Sequence, residues 1–381
     1  MEVIRAIDGV RLCVETLRAE SGNVIPLGTT PATMGRIGFT QKEPIGVVAA
    51  VSAFNHPLNL IVHQVVPAVA TGCPAIVKPA NDTPLSCIKL LEILRQAGLP
   101  DAWCQVLIAS DREASESLVT DSRVAFFSFI GSAKVGWMLR SKRAPGTRCA
   151  LEHGGVAPLI VADPFRMEEA VPAAAKGGFY HAGQVCVSVQ RVFVPTAQLD
   201  AFADALTEQA KNLVVGAPES PETEVGPLIR AAEVDRIDQW VQEAVKDGAI
   251  LKCGGKALAN NCYEPTVLVN PPVTTSVSTQ EIFGPVICVY SYDDLDQAVA
   301  QANSLTVAFQ AAVFCDDINT ATHLYSQLNA SAVMINDHTA FRDDVMPFAG
   351  LRQSGLGVGG IPYTMHDMQI DKMMVIKSPS L

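Results

Sequence analysis

From residue 45 onward the chain alternates short apolar runs with amphipathic stretches, and that rhythm constrains the fold more than any other feature. IGVVAAVSAF (45–54) reads as a strand, 58–70 as a helix, PAIVKP (74–79) as a strand and PLSCIKLLEILRQAG (84–98) as a helix. Strands are expected again at 104–109 and 124–131, with helical segments at 111–119 and 132–141. Strands that are apolar at nearly every position must be covered on both faces, and the amphipathic helices between them supply the cover. A parallel sheet of the Rossmann type follows, an architecture that binds nucleotides at the carboxyl ends of its strands.

The rhythm continues beyond residue 156. Helices are expected at 167–181, 197–213, 230–247, 293–302 and 317–328, with strands at 187–194, 249–253, 263–269, 310–315 and 333–337. The fold class is therefore α/β with two lobes. At the front, residues 2–20 repeat apolar positions at helical spacing, and 28–43 read as a β-hairpin arm with little apolar content of its own. The closing DKMMVIKSP reads as a strand able to complete the sheet of that arm, within the molecule or against a neighbouring subunit, because such edges need a partner. PFAGLRQSGLGVGG (347–360) reads as a loop passing close to something.

Composition narrows the function. Hydrophobic residues make up 49% of the 381 and charged ones 18%, yet no run is long and uncharged enough to span a membrane. A net charge of −11 argues against nucleic acid or an anionic membrane as partner. Ten cysteines without compact spacing, and without a CxxC pair, fit a reducing compartment rather than a disulfide scaffold or a metal site. The first residues lack a clean apolar core, so no secretory signal is read and the cytoplasm is expected.

Several residues stand where chemistry is done. Cys186 lies between Gly183, which permits an unusual turn, and the β-favouring Val187, Val189, Val192 and Val194, so its thiol is expected where a loop enters a strand. The blander reading is a buried cysteine acting as a small hydrophobe. Asn55 closes the first strand, where its amide either donates a hydrogen bond or forms a turn before His-Pro. Lys78 closes the second, held between an apolar strand and a proline, unlike an ordinary surface cation. In IGSAKVG (130–136), Gly131 lets a phosphate approach the backbone and Ser132 can cap the next helix. Glu152, between an apolar strand and a Gly-Gly pair, is either a carboxylate with a raised pKa suited to a general base or acid, or one at a strand end solvated by bulk water. Glu281 and Phe283 flank a tight Phe-Gly-Pro turn, which either presents a carboxylate and an aromatic face together or simply packs the ring.

FNHP at 54–57, VKPA at 77–80, IGS at 130–132, LEHGG at 151–155, GQVC at 183–186, EIFGPV at 281–286 and PFAG followed by SGLG at 347–357 stand in an order that resembles the aldehyde dehydrogenase superfamily over essentially the whole chain. That resemblance implies an aldehyde dehydrogenase-like fold: a Rossmann-type cofactor lobe, an α/β catalytic lobe and a β-arm for oligomerisation. It divides the chain into an NAD(P)-binding domain over 1–152 with 355–369, a catalytic domain over 153–354, and an arm formed by 28–43 and 370–381. Cys186 becomes the nucleophile that attacks the aldehyde carbon. Asn55 and the backbone N–H of Cys186 become the donors to the oxyanion, and Glu152 activates the water that releases a carboxylic acid. Lys78 and Glu281 would hold the two riboses of the cofactor, Gly131 and Ser132 its pyrophosphate, and Phe283 its nicotinamide. Members that pass the acyl group to coenzyme A generally lack the glutamate, so Glu152 favours hydrolysis.

The sequence departs from the family in places. A sizeable N-terminal segment usual in the family is not part of it, and the cofactor domain is expected to be incomplete there; the alternative is a catalytically impaired, truncated paralogue that binds nucleotide or oligomerises without turnover. His153 and Val156 replace commoner residues around the glycine pair, VGG (358–360) lacks the usual Arg-Glu, and Ile370 stands where many members carry an acid. Asn81 occupies a place where a glutamate would favour NAD by repelling a 2′-phosphate, so the cofactor is NAD or NADP, with NADP at least tolerated. NDHTAFRDDVMPFAG (336–350) looks like the branch acting on small oxygenated aldehydes such as lactaldehyde, glyceraldehyde derivatives or phosphonylated aldehydes, with Arg342 an anion-binding residue or a structural ion-pair partner. The expected partners are a small-molecule aldehyde and further copies of the chain, as a homodimer or homotetramer.

Overall fold

Strand Val47–Val51 shows why the sheet must be sandwiched: Val48, Ala49 and Ala50 are all fully buried, so neither face of the strand meets water. A computed structural model describes residues 2–109 and 112–381, and residue 111, where one helix was expected to start, lies outside that range. The chain divides into two units, one running to Leu151 with Asp344–Pro347 and Gly357–Leu381, the other comprising Glu152–Asp343 and Phe348–Leu356.

In the first unit Val47–Val51 pairs in parallel with Ala75–Lys78 and with Val124–Ile130, and Ala75–Lys78 pairs in parallel with Cys104–Val106. Arg148–Glu152 lies beyond Val124–Ile130. Helix Asn59–Ala70 packs on this sheet, and its buried Gln64 donates to the carbonyls of Val51 and Ser128, tying the helix to two strand ends. The N-terminal helix Glu2–Ala19 buries Ala6, Gly9 and Cys13, and its Glu2 carboxylate accepts the N–H groups of Leu58 and Asn59. A side chain from another helix thus satisfies donors that the start of Asn59–Ala70 leaves open.

The arm differs in part from expectation. Residues 28–43 do not make a hairpin; one strand, Arg36–Pro44, runs between short Val24–Ile25 and the long Gln369–Lys377. The expected pairing with the C-terminal strand is present, antiparallel from Gln369↔Pro44 to Lys377↔Arg36. Turn-forming Gly28 and Gly35, both at positive φ, end the extended backbone before residue 36.

The second unit holds a seven-stranded sheet in the order Ile250–Cys253, Thr266–Val269, Val286–Tyr292, Val189–Pro195, Ala157–Val161, Gln310–Phe314 and Ala332–Ile335. Only the first pairing is antiparallel. Fully buried Arg191 donates to the carbonyls of Val156, Gln301 and Ala302, which satisfies the end of helix Leu295–Ala302. No helix among the described residues is long and apolar enough to cross a membrane.

Candidate active site

Three consecutive residues, His181, Ala182 and Gly183, have φ of 56°, 54° and 69°, a left-handed run that turns the chain out of helix Met167–Phe179 before the strand begins. Cys186 sits in the turn that follows, and the strand starts at Val189, two residues later than expected. Gly183 is obligatory on two grounds: its φ suits glycine, and a Cβ there would overlap the carbonyl of Gly284. Further bonds fix the turn. Thr339 Oγ1 donates to the Val187 carbonyl at 2.5 Å, the Gly155 N–H donates to the Cys186 carbonyl at 3.1 Å, and the Gln184 side chain bridges to Pro227 and Ile229.

The Cys186 thiol donates to Glu152 Oε1 at 3.5 Å, joining two residues 34 positions apart. Glu152 ends the strand Arg148–Glu152, and burial raises its carboxyl to about 7 against the opposing influence of the Arg342 guanidinium and the thiol. The raised value agrees with the first of the two readings. Burial, then the carboxylates of Glu152 and Glu281, pushes the Cys186 thiol well above its ordinary value, so the resting group is the thiol. Cys186 packs against a buried cluster of Val185, Val187 and Phe309, as do Tyr180, Ala340 and Phe348. The Arg342 guanidinium lies 4.3 Å over the Phe348 ring, which is 4.5 Å from that of Phe309. Sequence reasoning raised Arg342 but missed the aromatic platform beneath it, since nothing local links residues 309 and 348.

Glu281 and Phe283 belong to the same unit. The Gly155 N–H supports the Glu281 carboxylate, burial raises it to about 8, and its Oε1 has no hydrogen-bond partner among the described residues. A Cβ at Gly154 would overlap that carboxylate, which explains the glycine pair. Phe283 has φ 51°, a left-handed value that few residues other than glycine adopt. A narrow cleft beside them is lined by Gly155, Gly183, Val185, Glu281, Phe283 and Gly284.

The remaining candidates lie in the first unit. Asn55 is buried but does not close its strand, which ends at Val51; it follows in the bend after it. Lys78, also buried, is the last residue of Ala75–Lys78 and donates from Nζ to Asn81 Oδ1 at 3.0 Å. Gly131 has φ 155°, and a Cβ there would come within 3.0 Å of the Phe129 ring. Ser132 is the N-cap residue of Ala133–Lys142, but its side chain makes no capping hydrogen bond, contrary to expectation.

Residues 1–374 match the aldehyde dehydrogenase family. The chain belongs to that family. It is 36% identical over 375 residues to the 3-sulfolactaldehyde dehydrogenase of Priestia aryabhattai, spanning 98% of this chain and 78% of that protein. Among solved structures it is similar to aldehyde dehydrogenase 21 of Physcomitrella patens, in complex with the reaction product succinate, at TM-score 0.94 and 36% identity over 99% of this chain and 78% of that one. It is likewise similar to a glyceraldehyde-3-phosphate dehydrogenase of Methanocaldococcus jannaschii complexed with NADP, at TM-score 0.93 and 34% identity over 99% and 81% of the two chains. As a family member the chain is an aldehyde-oxidising enzyme, and the paired thiol and carboxylate fit that chemistry.

Proposed function

We propose that this chain oxidises a small, anionic aldehyde to the carboxylic acid with NAD or NADP, through a thioester on Cys186. The observation that carries the reading is the 3.5 Å approach of the Cys186 thiol to Glu152 in a chain matched to the family over 1–374. The Cys186 sulfur attacks the carbonyl carbon while its proton passes to Glu152, forming a C–S bond and an oxyanion. The Cys186 backbone N–H and the Asn55 amide are the donors the family resemblance assigns to that oxyanion. Bound NAD(P)+ supplies the acceptor for the hydride that leaves the carbon. With the thioester formed, Glu152 releases the thiol proton to solvent, then takes a proton from water as the water attacks the thioester and passes it to the departing sulfur, which returns Cys186 to the thiol and frees the acid.

The residues fit such a cofactor. Gly131, where a side chain would crowd Phe129, and the start of helix Ala133–Lys142, whose N-cap side chain is uncommitted, suit a pyrophosphate. The buried Glu281 Oε1, without a protein partner among the described residues, suits a ribose hydroxyl, and Phe283 the nicotinamide. Lys78 and Asn81 would hold the other ribose, and the neutral amide leaves a 2′-phosphate unrepelled. The first unit is read as the cofactor lobe, the second as the catalytic lobe.

For the substrate, Arg342 supports an anionic group beyond the reacting carbonyl, since its charge acts on both Glu152 and Cys186. Names among the relatives, sulfolactaldehyde and glyceraldehyde 3-phosphate, point to the same class. The ribbon of Arg36–Pro44 and Gln369–Lys377 is read as the oligomerisation arm of a homodimer or homotetramer working in the cytoplasm. The test is a panel of neutral and anionic aldehydes with each cofactor, read by absorbance of the reduced nicotinamide. Turnover abolished by Cys186→Ala is expected. No reduced cofactor from any aldehyde would overturn the reading.

A further inference from the structure

The backbone of Ile282 is gripped by side chains on both of its polar groups. Its N–H donates to Gln190 Oε1 at 3.0 Å, and its carbonyl accepts from Arg236 Nη2 at 2.7 Å. Gln190, buried within strand Val189–Pro195, also donates to the carbonyls of Val277 and Gln280. Arg236, on helix Ala231–Lys246, is itself held: Nε donates to Glu233 at 2.9 Å and the guanidinium lies 4.4 Å over the Trp240 ring. The next residue, Ile237, comes so near the turn that a Cβ at Gly284 would overlap it. Ile282 separates Glu281 from Phe283, the residue at φ 51°, so the grip falls on both peptide bonds between the carboxylate and the ring, one hydrogen bond to each.

We propose that Arg236 is a positioning residue that holds the Glu281–Gly284 turn, and through it the Glu281 carboxylate, in the geometry that receives the cofactor ribose. The proposal rests on the assignment of Glu281 to that ribose made above. Two buried atoms fit the role: Glu281 Oε1 and Arg236 Nη1 both lack partners among the described residues, so the pair is set apart by the turn rather than neutralised by contact. The groups facing Glu281 are Arg236, with Glu233 bonded behind it, and the Cys186 thiol, while the Gly155 N–H donates to it. Of these Arg236 is the cation, and it opposes the burial that favours the protonated acid. A protonated carboxyl loses one of the acceptors that two ribose hydroxyls require.

The test is cofactor binding to the complete chain without aldehyde, followed by nucleotide fluorescence from pH 6 to pH 9.5, in parallel with cofactor-independent ester hydrolysis at Cys186. Affinity of the unaltered protein is expected to rise with pH through the titration of Glu281, and Glu281→Gln to remove that rise. Arg236→Met is expected to weaken binding about tenfold at neutral pH and to move the rise to higher pH, since one pKa unit is a tenfold change in ionised fraction below the midpoint. Arg236→Lys should restore part of both, and ester hydrolysis should stay within about twofold in the two Arg236 variants. Equal loss of ester hydrolysis and of cofactor binding in Arg236→Met would make the residue merely structural and overturn the proposal. An unshifted pH profile would overturn it alone, whereas unchanged binding in Glu281→Gln would overturn it together with the ribose assignment.

Discussion

Gly183 lies directly against the carbonyl of Gly284, so the Cys186 loop and the Phe-Gly-Pro turn are two backbones in contact with no side chain between them. At φ 69° Gly183 also sits where an L-residue is strained. Gly183→Ala is expected to cost about 2 kcal/mol or more of stability and to separate Cys186 from its surroundings. A lowered melting temperature together with lost turnover would bear this out; an active variant of unchanged stability would contradict it.

Activity should rise with pH along a limb near 7, because Glu152, raised to about 7 by burial, accepts protons only when ionised. Glu152→Gln is expected to lower turnover ~10²–10⁴-fold, to erase the limb and to leave an acyl adduct on Cys186 visible by intact mass.

Stability should respond with the opposite sign. The folded state binds the Glu152 and Glu281 protons more tightly than the unfolded chain, with values of about 7 and about 8 against 4.5. Both contributions are at their best below pH 4.5 and are lost as pH rises through the folded values, so each carboxylate is a liability in alkali. Glu152→Gln should therefore stabilise the fold more at pH 8.5 than at pH 5, by on the order of 1–2 kcal/mol at the higher pH, read from denaturant unfolding at each pH. An equal effect at both would count against the buried ionised form.

Arg342 opposes the upward shift of Glu152, and Arg342→Met should move the acid limb of the pH profile to higher pH. The same variant should lose about tenfold or more in kcat/KM for a sulfonated or phosphorylated aldehyde and much less for a neutral one of similar size. Equal losses on both would remove the anion-binding role.

Strand Gln369–Lys377 exposes Met374 and Ile376 on one face, Met373 and Val375 on the other. Such a ribbon needs cover. Replacing Met374 and Ile376 by lysine is expected to shift the particle mass to a smaller species in light scattering, whereas an unchanged mass would free the arm from that role.

The sequence carried the parallel sheets, the pairing of the last strand with residues 36–44 and the raised Glu152, because each follows from a local pattern or from one charge in an apolar setting. It did not carry the Ser132 side chain, whose capping bond depends on a rotamer, or the place of the hairpin expected at 28–43, whose first strand is Val24–Ile25, ahead of the turning glycines. Residues such as Arg236 and Phe348 were invisible because their partners lie far away in the chain. Gln190 left a trace: a lone amide inside SVQRVFV has to meet buried donors or acceptors.

The stacking of Arg342 on Phe348 has an evolutionary corollary. Both residues stand in segments outside the strands, whereas the thiol, its carboxylate neighbour and their glycines are locked by backbone contact. Diversification toward new aldehydes is thus expected at Arg342 and Phe348 rather than in the glycine-held turn, and a mutational library aimed at those two residues should recover altered substrate preference far more often than one aimed at 181–188.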